Sequence, residues 1–286
     1  MPELPEVETI KNDLSKKILN KKIVQLNILL PRIIKNDIHE FRKNILLRSF
    51  KGIKRIGKLI VIKLEKKDSY LLIHLKMTGQ LVYNHKSEII SGGHSQDSPI
   101  NNLPNKYTRV DFKFSDGSRL FFNDMRTFGY LKVVNKNELN KIATKYGEDP
   151  INDIFDFNLF YDKIKNRQTS IKAILLNQAI IAGIGNIYAD EILFNAGVRP
   201  QKKASLLKKK ELEKIFKAIK PVLKKAIKYR GTTFNDYVDA SGNKGNFIKQ
   251  LKVYGREGQK CHQCGAKIKK IKVVQRGTHY CQNCQE

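Results

Sequence analysis

The chain has 286 residues, and its 55 Lys plus Arg against 27 Asp plus Glu give a formal net charge of +28. That length suffices for two domains and a small third module, and the positive excess selects a polyanionic partner, nucleic acid ahead of an acidic membrane surface. No apolar run reaches membrane-spanning length and no secretory leader opens the sequence, which reads as a cytoplasmic, nucleoid-associated protein.

The opening segment, Met1-Pro2-Glu3-Leu4-Pro5-Glu6-Val7-Glu8, turns helical from Pro5. Val7, Ile10, Leu14 and Ile18 fall on one face, and acids crowd the first turn, where the helix dipole favours them. Pro5 fits there because its missing N–H costs nothing at a helix start. The helix therefore presents Pro2 and Glu3 just beyond its N-terminus. Met1 is removable when a small residue follows, and its removal leaves Pro2 as a secondary amine. An α-amine has a pKa of about 7.7–8, low enough to provide an unprotonated nucleophile near neutrality. Attack on a sugar C1′ gives an iminium, an electron sink. Glu3 and Glu6 are three apart and can point to the same side. One carboxyl can protonate a ring oxygen or a leaving base, and the other can hold a water or order the amine. The bland readings are a stiffened start for Pro2 and dipole complementation for the acids.

From residue 23 to 134 the pattern is that of strands, over 23–30, 45–53, 59–65, 70–77, 109–114, 119–123 and 130–134, with turn signals between them. This is an all-β domain, a two-layer sandwich. Lys58 closes the turn Arg55-Ile56-Gly57-Lys58, either as a solvated charge or as a phosphate contact. Residues 91–106 are polar and rich in Gly, Pro, Ser and Asn, and read as an exposed loop.

Helical periodicity returns after residue 137. Residues 169–182 form one helix, Gly183-Ile184-Gly185-Asn186 breaks it, and Asn186 caps a second over 187–195. Residues 206–229 are a third helical region, kinked or restarted at Pro221. Residues 202–230 carry twelve Lys or Arg and only two acids, Glu211 and Glu213. Residues 231–247, with three glycines and few apolar anchors, read as a working loop.

The chain ends in Cys261-x-x-Cys264, sixteen residues, and Cys281-x-x-Cys284, its only cysteines. Two close pairs flanking a short basic hairpin have the spacing of a four-thiolate zinc ribbon; two disulfides are the alternative. So short a module depends on its ion to fold. Its Arg and Lys lie on a metal-fixed hairpin, where they can meet phosphates at low entropy cost.

These motifs, in order, resemble the bacterial formamidopyrimidine-DNA glycosylase family. The matching stretches are Pro2-Glu3-Leu4-Pro5-Glu6-Val7-Glu8-Thr9, His74-Leu75-Lys76-Met77-Thr78-Gly79, Asn123-Asp124-Met125-Arg126-Thr127-Phe128-Gly129, Gly183-Ile184-Gly185-Asn186-Ile187-Tyr188-Ala189-Asp190-Glu191, and the ribbon with Gln275-Arg276-Gly277-Thr278. They span essentially the whole chain. The resemblance implies a multidomain α+β architecture: an N-terminal β-sandwich flanked by a helix (1–135), a helix–two-turn–helix domain with a lesion-capping loop at 231–247 (136–250), and a zinc ribbon with one structural Zn²⁺ (251–286). It implies a glycosylase and abasic-site lyase acting as a monomer on oxidised purines in duplex DNA held in a cleft between the domains. Pro2 resembles the Schiff-base nucleophile, Glu3 the acid that drives ring opening and proton transfer, and Glu6 a supporting carboxylate. Lys58 resembles a phosphate contact beside the lesion. Met77, Arg126 and Phe128 resemble the wedge that fills the hole left by the everted base. Lys172, Asn186 and Arg276 resemble phosphate ligands, and Thr232, Thr233 and Tyr237 a lesion-pocket lining.

Leu4 favours this family over its sister of endonuclease VIII type, which usually has Gly there and prefers oxidised pyrimidines. A non-catalytic zinc DNA-binding protein or an RNA-binding module are the remaining rivals. One departure stands out: where the family often carries His-x-His, this chain has Tyr107-Thr108-Arg109.

Overall fold

Helix α1 (Leu4–Ile18) forms where the apolar spacing required it, with Val7, Ile10, Leu14 and Ile18 almost completely buried. Leu4, Pro5, Glu6 and Thr9 are buried as well, so the first turn is sunk into the protein. The structure is a computed structural model that describes residues 1–86, 88–93, 102–232 and 246–286. It divides into two units, Met1–Thr144 with Arg230–Asn246, and Lys145–Tyr229 with Phe247–Glu286.

In the first unit α1 is followed by β1 (Ile23–Ile28), α2 (Ile38–Ile45), β2 (Phe50–Ile56), β3 (Leu59–Leu64), β4 (Ser69–His74), β5 (Gly79–His85), β6 (Glu88–Gly93), β7 (Thr108–Phe114), β8 (Arg119–Asp124), β9 (Tyr130–Asn135) and α3 (Lys136–Ala143). Two antiparallel sheets form the sandwich, in the orders β1-β7-β8-β5-β6 and β2-β3-β4-β9. Their facing side chains, with Phe41 of α2, make the main core, which includes Phe50, Ile60, Ile62, Leu81, Tyr83, Phe112, Phe114 and Phe122.

Several elements differ from the sequence reading. The strand expected over 45–53 begins at Phe50, because Ile38–Ile45 is helical. Asp37 caps that helix by accepting from the Glu40 N–H at 3.0 Å, the Asp-x-x-Glu signature of a helix start. Strand β4 stops at His74 rather than Met77. Strands β5 and β6 were not foreseen, and Ser91–Gly93, assigned to an exposed loop, lie in β6 with Ser91 buried.

The topology positions a site. β4 belongs to one sheet and β5 to the other, and β8 and β9 do likewise. The connections 75–78 and 125–129 are therefore both corners between sheets. Since β4 pairs with β9 (His74 opposite Tyr130) and β5 with β8 (Gly79 opposite Asp124), the two corners lie side by side.

The second unit holds α4 (Phe157–Ile164), α5 (Ile171–Leu176), α6 (Asn186–Ala196), α7 (Lys209–Lys228) and the hairpin β10 (Lys269–Val273) with β11 (Arg276–Tyr280). Helix α5 is shorter than the helix expected over 169–182; Asn177, with extended backbone, ends it. Gly185, not Asn186, is the N-cap of α6. Helix α7 runs unbroken through Pro221. Among the described residues no helix is long and apolar enough to cross a membrane.

Two buried carboxylates organise this unit. Glu191 accepts the backbone N–H groups of Lys252, Val253 and Tyr254, each at 2.9 Å, and so fastens the approach to the ribbon onto α6. Burial pushes its carboxyl up, and the three N–H donors work against that shift. Asp190 accepts from Lys172 Nζ at 2.6 Å and from the His279 N–H at 2.8 Å, joining α5, α6 and β11.

Candidate active site and nucleic-acid contacts

At the start of α1, Glu3 stands at the N-cap position and is 3% exposed, and Glu6 is 9% exposed. The Glu3 N–H donates to Glu6 Oε2 at 2.8 Å. Glu6 Oε1 accepts from the Thr232 N–H at 2.8 Å and from its hydroxyl at 3.1 Å. Glu6 thus ties the stem of the 231–247 segment to the helix start, which is why Arg230–Asn246 belongs to the first unit. Arg230 adds an ion pair to Asp13 at 2.5 Å, and Thr232 bridges Asn246. Gly231 has φ +83°, and a Cβ there would lie 2.6 Å from Glu6 Oε1, so this approach requires glycine. Thr232, expected to line a lesion pocket, spends both its N–H and its hydroxyl on Glu6. Thr233 and Tyr237 lie outside the described residues.

Pro2 is buried in the chain that still carries Met1, against the sequence expectation of an accessible nitrogen. Met1 itself is 53% exposed.

Lys58 follows Gly57, whose φ of +56° makes the β2–β3 turn. It is 7% exposed, which excludes the solvated lysine. Arg55 holds that turn to the helix: its Nε donates to Glu8 at 2.9 Å and its Nη1 to the Gly57 carbonyl at 2.8 Å. Burial opposes ionisation of Glu8, yet hydrogen bonds and charge from Lys11 and Arg55 hold its carboxyl below the usual range. Neither Arg55 nor Glu8 was singled out from the sequence; their spacing across 47 positions carries no local signal.

His74 ends β4 and packs against Tyr130, with ring centroids 5.6 Å apart. Burial, with the charges of Lys76 and Lys58, lowers its pKa to about 4. Its Nδ1 accepts the Lys76 N–H at 3.0 Å, which leaves the proton of the neutral ring on Nε2.

The two inter-sheet corners carry the three residues expected to form a wedge. Met77 is 41% exposed, Phe128 53%, and Arg126 is also exposed. Arg126 Nη1 lies 3.3 Å from Met77 Sδ, and its guanidinium lies over the Phe128 ring at 4.8 Å. The structure therefore brings all three together. Beneath them, buried Asp124 accepts from the Thr78 hydroxyl and, at 2.7 Å, from the Gly129 N–H; Thr78 Oγ1 in turn accepts the Arg126 N–H at 2.9 Å. Met125, 39% exposed on the same corner, was not singled out from the sequence.

In the second unit, Lys172, expected as a phosphate ligand, is directed inward. It is fully buried, paired with Asp190, and donates to Thr278 Oγ1 at 2.8 Å and the Gly277 carbonyl at 3.4 Å. A buried lysine needs such partners, and here they fix the ribbon turn. Asn186 Nδ2 donates to the same Gly277 carbonyl at 3.0 Å. Arg276, the neighbour of Gly277, is exposed. It follows the turn residues Val274 (φ +46°) and Gln275 (φ +59°), a left-handed pair that closes the hairpin with Val273 opposite Arg276. Valine in that region is strained, so the surrounding contacts must hold the tip.

The four cysteine sulfurs lie within 4.8 Å of one another, with 3.9 Å between Cys261 and Cys284 and 3.4 Å between Cys264 and Cys281. None is disulfide-bonded. A tetrahedral zinc with Zn–S bonds of about 2.3 Å needs sulfurs about 3.8 Å apart. The donor set and spacing fit one structural zinc, held by Cys261, Cys264, Cys281 and Cys284.

Family models match in chain order: the formamidopyrimidine-DNA glycosylase N-terminal domain over residues 1–131, its H2TH domain over 146–238, and the zinc finger found in FPG and IleRS over 258–286. The chain is 42% identical over 287 residues to formamidopyrimidine-DNA glycosylase of Carboxydothermus hydrogenoformans, covering all of both chains. It is 40% identical to that of Oceanobacillus iheyensis, covering 100% of this chain and 98% of the relative. A solved complex of a Lactococcus lactis FPG mutant with Fapy-dG-containing DNA superposes with a TM-score of 0.88 at 33% identity over the full length of both. A complex of the Lactococcus lactis protein with abasic-site DNA gives 0.86 at 32% identity over 99% of each chain. The chain belongs to the formamidopyrimidine-DNA glycosylase family.

Proposed function

We propose that this chain excises oxidised purines, 8-oxoguanine and formamidopyrimidines, from duplex DNA and then cleaves the strand as an abasic-site lyase, working as a monomer in the bacterial cytoplasm. The observation that carries the mechanism is the start of α1, where Pro2, Glu3 and Glu6 converge and Glu6 fastens the Glu3 N–H to the stem at Thr232. With Met1 removed, the Pro2 nitrogen attacks C1′ of the everted nucleotide. The ring opens with a proton from Glu3, and the bond to the base breaks, leaving an iminium between Pro2 and C1′. The iminium acidifies C2′; loss of that proton expels the 3′ phosphate, and a second elimination expels the 5′ phosphate. Water then hydrolyses the adduct and frees Pro2. Glu6 acts from behind, by fixing the helix start and the stem.

Met77, Arg126 and Phe128 fill the place of the extruded base. Eversion costs several kcal/mol of stacking and pairing, so a filler is needed, and a soft Met, an aromatic ring and a hydrogen-bonding Arg are suited to it. Lys58 holds a phosphate near the lesion. Arg276 holds another on the ribbon, with Lys172 and Asn186 fixing its turn through Gly277.

Borohydride added during turnover on an 8-oxoguanine duplex traps the iminium as a covalent complex through residue 2. Pro2→Gly, and a chain retaining Met1, trap poorly while still binding DNA. Glu3→Gln binds but loses base release. Trapping through an internal lysine would overturn the role of Pro2. A solved relative, the Lactococcus lactis protein, has been captured with oxidised-pyrimidine-containing DNA. Parallel assays on 8-oxoguanine opposite cytosine and on thymine glycol therefore decide the lesion class.

A further inference from the structure

Arg109 occupies an unusual backbone position. Along β7 and β8, Thr108 pairs with Asn123 and Val110 with Phe122, so Arg109 is the extra residue of a β-bulge. A bulge re-aims its side chain away from the regular sheet alternation. Here the Arg109 Nε donates to the Asp124 carbonyl at 2.8 Å and its Nη1 to the Lys106 carbonyl at 3.0 Å. The Asp124 N–H donates to the Tyr107 carbonyl at 2.9 Å, so the base of the 125–129 corner is gripped from both sides by the stretch that departs from the family pattern. The Arg109 carbonyl meanwhile accepts the N–H groups of Leu29 at 2.8 Å and Leu30 at 3.2 Å. Those residues lead into a short 3₁₀ turn, Pro31–Ile33, that carries Arg32. The Arg32 Nη2 donates to Thr127 Oγ1 at 2.6 Å, on the same corner, and Thr127 is held at φ +56°. One bulged residue thus fixes the start of the corner directly and its tip through Arg32.

We propose that Arg109, working with Arg32, is a positioning residue that sets the pose of Arg126 and thereby this chain's preference for the base opposite the lesion. This rests on the reading of Met77, Arg126 and Phe128 as the wedge. Arg126 is two residues from Asp124 and one from Thr127, the two points gripped. Its N–H is also bound to Thr78, so its backbone has little freedom once both arginines are seated. A planar guanidinium fork fixes a carbonyl in direction as well as distance, which a lysine cannot do. Small misplacements of a recognising group cost large factors in rate.

The test uses the full-length, zinc-loaded protein. Single-turnover excision of 8-oxoguanine is measured opposite cytosine and opposite adenine, alongside the thermal midpoint, for Arg109→Ala, Arg109→Lys, Arg32→Lys and Arg126→Ala. The ratio of the two rates is expected to shift about fivefold or more in Arg109→Ala and Arg109→Lys, and less in Arg32→Lys. Arg109→Lys keeps the charge and guards against a folding failure of the alanine variant. A purely structural role would lower both rates in parallel with the midpoint and leave the ratio unchanged, which overturns the proposal. If Arg126→Ala shifts the ratio and the Arg109 variants do not, the positioning role alone falls. If Arg126→Ala leaves the ratio unchanged as well, the wedge reading falls with it.

Discussion

His74 shows how one residue reports its surroundings. Burial, then the charges of Lys76 and Lys58, hold its imidazole neutral down to about pH 4. In the unfolded chain a histidine titrates near 6.5. As the pH falls, the unfolded state takes the proton first, so acid favours unfolding. The contribution of neutral His74 is fully present above about pH 6.5 and is lost as the pH falls toward about 4. Urea unfolding from about pH 7 to about pH 4.5 should therefore show a steeper loss of stability in the wild type than in His74→Asn. The ribbon thiolates affect both proteins equally. Equal slopes would mean that the ring takes its proton in the fold at the same pH as in the unfolded chain. The same neutral state lets Nδ1 accept the Lys76 N–H, which holds the backbone entering the Met77 corner.

At the scale of elements, what the sequence disclosed is what local periodicity encodes. The apolar face of α1, the β-rich runs around residues 59–64 and 109–114, and the paired Cys-x-x-Cys motifs all carry their signal within a few residues. The acids and proline of the site sat beside the first of these and were legible for that reason. β6 shows what is not local. Its Ser91-Gly92-Gly93 reads as loop because glycine is poor in strands. In the fold, a Cβ on Gly92 would collide with the Ile10 side chain of α1, so the glycine is there to let the helix lie against the strand. No pattern in residues 88–93 reveals a helix that begins more than eighty positions earlier. The convergence of Met77 on Arg126 was legible only through the family resemblance and not from local pattern, because it depends on two chain crossings between sheets. The grip of Glu6 on Thr232 spans 226 positions. Lys172 was placed at a phosphate by the family resemblance alone, and only the fold supplies the Asp190 against which it is buried. Gly92→Ala should cost about 1–3 kcal/mol in urea unfolding and lower excision more than binding to undamaged DNA, since Ile10 lies one turn below Glu6. Adding Ile10→Ala, which removes the nearest colliding atom, Cγ1, should recover part of the excision rate. If the double variant recovers none, the glycine serves some purpose other than the approach of α1.

At the scale of the whole molecule, the net charge of +28 attracts any duplex, damaged or not. Such attraction provides encounter and residence but no choice of lesion. Selection must come from the few groups that meet an everted base or the gap it leaves, so the two kinds of contact should separate experimentally. On the proposed reading, Arg276 belongs to the first kind. It is exposed, and it sits on a hairpin tip strained at Val274. That tip is held by four cysteines on one side and by the bonds of Lys172 and Asn186 to Gly277 on the other. Arg276→Ala should weaken binding to lesion and undamaged duplexes by the same factor. It should also reduce the slope of log affinity against log salt by about one, the signature of a single lost phosphate contact. Chelating the zinc should reproduce at least this loss, because without the ion the hairpin no longer holds the arginine in place. Arg126→Ala should leave the salt slope and the affinity for undamaged DNA unchanged while excision falls. An Arg276 variant that loses affinity for the lesion duplex alone, with its salt slope intact, would move that residue from backbone attraction into lesion recognition.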